Sequence, residues 1–202
     1  MAIPNKSITA AGKGTNWANI KPGLHQAVIL AVGYLPDQEK EFAGEKKVVD
    51  ELFIVYQSDK VLKDENGVVD EKGRCYQWSR SYKLSTHEKA GLVKDLSFLV
   101  PPNSEFELTN LIATLVGARV AVMCENKASK ADPTKFYSSI KAIMEGDDEV
   151  AFTAPQVDLP KWACEKWADY DLVALGKGEC QFKDFLEGGS NAHPTKQVTR
   201  LD

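Results

Sequence analysis

Between Arg74 and Leu96 the chain changes its repeat from two residues to three and four without a spacer. In RCYQWSRSYKL, residues Arg74, Tyr76, Trp78, Arg80, Tyr82 and Leu84 fall on one face of a strand. Cys75, Gln77, Ser79, Ser81 and Lys83 fall on the other. Ser85 follows at once, three residues before Glu88, which is the spacing of a capping box. Ala90, Val93, Leu96 and Ser97, with Leu92 and Leu99 alongside, then form an apolar stripe at helical spacing that ends before Pro101-Pro102. The junction places a helix directly after a strand, and the remaining elements are read around it.

Two strand patterns precede the junction, Leu24–Leu35 and Lys46–Gln57, separated by the polar PDQEKEFAGE. In the second, Val48, Leu52 and Ile54 share a face that reads as core, and Lys47, Val49, Glu51, Phe53 and Val55 share one that is mostly outward. After the helix, Phe106–Gly117 reads as a short second helix, and Arg119–Asn126 and Lys135–Met144 as strands joined by the basic turn KASKADPT. The order β-β-β-α-β-β predicts a mostly β protein. It is the element order of a five-stranded OB-fold Greek-key barrel, with a helical insert between strands three and four and a C-terminal extension. Another five-stranded barrel or an α+β sandwich fits the same order.

The 202 residues suffice for one domain with extensions, and 43% apolar content is that of a globular chain. Three parts are expected: a loose arm over 1–21, a barrel domain over 22–145, and an acidic extension over 146–202 whose last residues are mobile. The net charge of −4 hides an asymmetry. Residues 1–144 carry 19 Lys and Arg against 17 Asp and Glu, whereas residues 145–202 carry 6 against 12. Cys75, Cys124, Cys164 and Cys180 form no C-x-x-C pair, so a zinc site has no support. The N-terminus lacks a signal-peptide pattern and no stretch has the length of a membrane span. The expectation is a soluble intracellular protein with no membrane partner.

Chemistry for catalysis is not visible. GKGT at Gly12–Thr15 lacks the spacing and context of a phosphate loop. His25, His87 and His193 make no ligand pair, and the run Glu145, Asp147, Asp148, Glu149 reads as a solvated charge run. The chain is expected to be no enzyme and to need no cofactor or metal.

What the alternating strand offers is a binding face. Aromatic rings stack on bases, and arginines draw the phosphate backbone. The expected contacts are Lys47, Phe53, Arg74, Tyr76, Trp78, Arg80, Lys127, Lys130, Lys135 and Tyr137. The competing reading is core packing: Trp, Tyr and Leu on one strand face are normal core content, and Tyr82 and Leu84 beside the helix fit it best. The segment Tyr82-x-Leu84-Ser85-x-His87-Glu88-Lys89, with Leu92-x-x-Asp95-Leu96 after it, resembles a signature of phage-encoded OB-fold single-stranded DNA-binding and replication-associated proteins. The likeness extends to the strands at Gly23, Lys47 and Tyr137.

That resemblance implies sequence-independent binding of single-stranded DNA, without catalysis, in phage replication, recombination or repair. It also implies residence in the cytoplasm of an infected bacterial host. In the extension, Trp162, Trp167 and Tyr170 suggest a short helix that docks on the barrel, or else a tail that recruits replication or recombination proteins. The rival class is a protein-interaction module on the same fold, acting as a replication adaptor or an inhibitor of a host protein.

Overall fold

The computed structural model describes residues 18–42, 44–128, 133, 136–152, 157 and 159–186. Its frame is two long antiparallel strands, β1 (Gly23–Phe42) and β2 (Glu45–Val61). Both contain runs of consecutive apolar residues, and such runs fit only where a strand is buried on both faces. Ala27–Val32 of β1 and Leu52–Tyr56 of β2 are each at most 4% exposed.

β3 (Cys75–Lys83) pairs with β2 from Glu51 to Gln57 and again at Val61. β4 (Arg119–Ala128) pairs with the first part of β1, Gly23–Val28, and β5 (Phe136–Glu145) pairs with β4. The edge of β1 is then handed on. Ile29 exchanges backbone hydrogen bonds with Ala118 and Gly117 at 2.9 Å, Leu175 N–H donates to Leu30 at 2.8 Å, and β6 (Asp171–Ala174) pairs with Ala31–Gly33. Gly117 makes the corner with φ +87, a conformation that favours glycine. β6 turns back as the short strand β7 (Gly178–Gln181).

Beyond Glu51 and Gly33 neither β3 nor β6 follows, so the ends of β1 and β2 continue as a two-stranded ribbon. A bulge between Leu35 and Gln38 starts it, and Asp50 braces the bulge. Its carboxylate accepts from the Asp37 N–H at 3.1 Å and the Tyr34 hydroxyl at 3.0 Å, holding Asp37 at φ +53. Val48, expected in the core beside Leu52 and Ile54, is on this ribbon and is 62% exposed.

One face of the sheet carries α1 (Gly91–Leu96) and α2 (Leu108–Leu115), which cover Ile29, Val32, Ile54, Tyr56, Trp78 and Ile140 among others. The opposite face of β1 and β2 carries α3 (Lys161–Lys166) and a 3-10 turn at Phe182–Phe185. Leu30, Phe53 and Val55 pack there with Leu159, Trp167 and Phe182. β1 and Phe182 meet so closely that a Cβ on Gly33 would stand 2.6 Å from the Phe182 ring. The result is three layers with two separate cores.

This architecture corrects the expected barrel. The strands form an open seven-stranded sheet with the path β3-β2-β1-β4-β5, to which β6 and β7 attach at β1. β3 and β5 come within 8 Å of each other, yet no ladder joins them among the described residues. Both end strands instead pack on α1, where Trp78 and Tyr82 of β3 meet the same core as Ile140 and Ile143 of β5. The element order also runs past five strands, since a helix and two further strands, one of them paired with β1, follow β5.

The Ser85 capping box is corrected as well. α1 begins at Gly91 behind Ala90, with no side-chain cap, and the Ser85 hydroxyl instead accepts the His87 N–H at 3.3 Å. Among the described residues, no helix is long and apolar enough to cross a membrane.

Candidate ligand groove

The aromatic and basic residues expected to contact nucleic acid do not form one surface. Phe53, read as outward, is 1% exposed, because the C-terminal layer covers that face of β2: its ring lies 5.2 Å from Trp167 and 5.6 Å from Phe182. Trp78 is 7% exposed in the helix-side core, with its ring 6.1 Å from His25. Tyr76 is half-buried, and its hydroxyl accepts the Lys63 N–H at 3.4 Å.

The cations of this strand are held by carboxylates. Arg74 makes a two-pronged pair with Asp70, both contacts at 3.1 Å, and its hydrogen bonds keep that carboxyl below the usual aspartate range. Arg80 donates to Asp95 at 2.8 Å. The same carboxylate accepts the Tyr82 hydroxyl at 2.9 Å, which in turn meets the Tyr56 hydroxyl at 3.1 Å. Burial raises both tyrosines above their ordinary range, so they stay protonated. Arg80 thus anchors α1 to β3. Lys47 pairs with Glu45 at 3.3 Å on the ribbon, and Lys127 with Glu125 at 3.0 Å. Tyr137 and its neighbour Phe136 are exposed at the start of β5, which no ladder joins to β3 among the described residues. Lys130 and Lys135 lie outside the described residues.

A concavity lies elsewhere, under α2. Three strands form its floor in two cross-strand rows. Val32, Val173 and Glu179 make one row by direct pairing. Asp171 and Gln181 pair in the next, and the β1–β6 register carries Tyr34 to the place opposite Asp171. Leu172, Ala174 and Cys180 point the other way, into the C-terminal core. The wall is α2, which presents Leu108, Thr109, Ile112 and Ala113. The volume is about 660 Å³, within the range of small-molecule sites.

Its polar side chains are Tyr34, Asp171, Glu179 and Gln181 on the floor strands and Thr109 on the wall. Burial and the hydrogen bond to Asp50 raise the Tyr34 hydroxyl above the usual tyrosine range, so it presents a neutral ring edge. The Gln181 amide donates to Asp171 at 3.5 Å, and the Gln181 N–H donates to Asp184 in the capping box of the 3-10 turn. Cys180 is turned from the groove. Burial, then the nearby Asp184, pushes its thiol up to about 11, so it is not a nucleophile near neutral pH.

None of these groove residues was singled out from the sequence. A signal was present: DLVA and GECQ are short runs around the Gly-Lys-Gly turn, a hairpin pattern with Asp171, Val173, Glu179 and Gln181 on one side. What no local pattern carries is that this hairpin continues the edge of β1, about 140 residues earlier in the chain.

The sequence matches no protein-family model and no curated protein. With the sheet open and the strand-three aromatics mostly buried, the resemblance to OB-fold single-stranded DNA-binding proteins does not hold. Binding of single-stranded DNA by stacking on this strand, and the phage replication role and partners attached to it, are corrected with it. The Tyr82–Leu96 motif instead describes a junction built for packing: Tyr82, Leu92 and Leu96 are core, and Asp95 closes the Arg80 anchor.

Proposed function

We propose that the chain is a binding protein whose ligand occupies the groove between α2 and the β6–β7 hairpin, and that it carries out no chemical step on that ligand. The observation that carries this reading is the groove itself: a ligand-sized concavity with half-buried Val173 on its floor, half-buried Leu108 and Ile112 on its wall, and a polar margin. Apolar surface left in a concavity gains free energy when a matching ligand displaces its water. Against a chemical step stands the structural use made of four reactive side chains. Asp50, Asp70 and Asp95 hold Tyr34, Arg74 and Arg80, and the Cys180 thiol is kept protonated. The four thiols each donate to a backbone carbonyl, which fits a reducing cytoplasm.

The neutral fluorescent probe N-phenyl-1-naphthylamine tests this reading. Its emission should rise on mixing with the protein. Ala113→Phe, which fills the groove from the exposed side of α2, should weaken binding about tenfold with an unchanged melt, since the loss of roughly one aromatic-sized contact is of that order. Thr114→Phe, on the solvent side of the same helix, should leave binding as it was. Absence of binding, or equal loss in both variants, overturns the assignment.

A further inference from the structure

The margin of the groove has a sign. Asp171 and Glu179 are diagonal neighbours on β6 and β7, both exposed and both on the groove face. Among the described residues no lysine or arginine lies within 4.0 Å of either carboxylate. The other charges of the C-terminal layer are engaged: Lys161 with Glu165, Lys183 with Asp169, Asp184 in the capping box, and Lys177 over the Phe185 ring. Two carboxylates with no lysine or arginine paired to them among the described residues therefore stand beside an apolar floor, with the Tyr34 ring in the row of Asp171. Carboxylates and a tyrosine ring attract an organic cation, and repel an anion.

Resting on the groove as the ligand site, we infer that its ligand is a small organic cation: an apolar chain that lies between Val173 and Ile112, ending in an ammonium between Asp171 and Glu179. A free amine fits better than the lysine of an added peptide strand. Such a strand needs a run of open backbone along β7, but β7 has four residues and the Gln181 N–H is already taken by Asp184. The groove is also walled by α2 over a floor of β1, β6 and β7.

Three eight-carbon probes separate the claims by calorimetric titration of the full chain: octylammonium, 1-octanol and octanoate. Octylammonium should bind about tenfold more tightly than 1-octanol, and octanoate more weakly than either, as expected for two partly solvated ion pairs. The preference should shrink as NaCl is raised, because exposed pairs are screened. Asp171→Asn with Glu179→Gln should bring octylammonium to within about twofold of 1-octanol. Octanoate binding as tightly as octylammonium overturns the cation assignment and leaves the groove standing. Failure of all three probes overturns the groove reading itself. Tighter binding of the peptide Ac-Leu-Lys-Leu-Lys-Leu-NH2 than of octylammonium overturns the small-molecule assignment in favour of a polypeptide.

Discussion

Phe53 shows how one side chain decides between two accounts of the chain. As an outward ring it would be free to stack on a ligand, and its loss would leave stability within about 0.5 kcal/mol. Buried at 1% against Trp167 and Phe182, it is instead a principal contact between the sheet and the C-terminal layer. Phe53→Ala should therefore cost about 3–5 kcal/mol in urea unfolding, while Tyr137→Ala, at an exposed site, should cost little. Cys180 gives a pH signature of the same layer. Its thiol titrates at about 11 in the fold against an ordinary 9.0, because burial disfavours the thiolate. Below 9 both states hold the proton and the group has no pH effect. From about 9 to about 11 the unfolded chain releases it first, so stability is lost as pH rises through that window. Cys180→Ala should lose less stability over the same window than the parent, measured by urea unfolding at pH 8 and pH 11.

At the scale of elements, the start of α1 is a direct test. The expected cap at Ser85 is absent from the helix, which begins at Gly91 behind an alanine in extended conformation. Ser85→Ala should thus cost well under the 1 kcal/mol typical of a lost cap, whereas Ala90→Ser should add about 0.5–1 kcal/mol by supplying one. Thermal melts of the two variants check both. The positions of the strands were legible in the sequence because period-two runs and turn residues are local: Arg74–Leu84 and Lys46–Gln57 lie within a few residues of β3 and β2. Helix boundaries were less so, since Pro101 sets only an outer limit and α1 ends at Leu96. The face assignments failed for β2. The run Leu52–Tyr56 has no alternation, which is the mark of burial on both sides, but it was read as if one side faced water.

At the scale of the whole molecule, two facts lay beyond local reading. One is that β3 and β5 pack on α1 without a ladder between them among the described residues, which leaves the sheet open. The other is that the C-terminal hairpin extends β1, which creates the groove beneath α2. Together they move the site from the aromatic strand, where the arginines anchor structure, to a surface assembled from β1, α2, β6 and β7. The most direct test is a set of intermolecular nuclear Overhauser effects between octylammonium and the methyl groups of the protein. Contacts from the alkyl chain to Leu108, Ile112 and Val173 are the expected result. Contacts confined to Leu24 and Met123, on the opposite face of the sheet, or to residues beside the exposed Trp162, would place the ligand outside the groove and contradict the account.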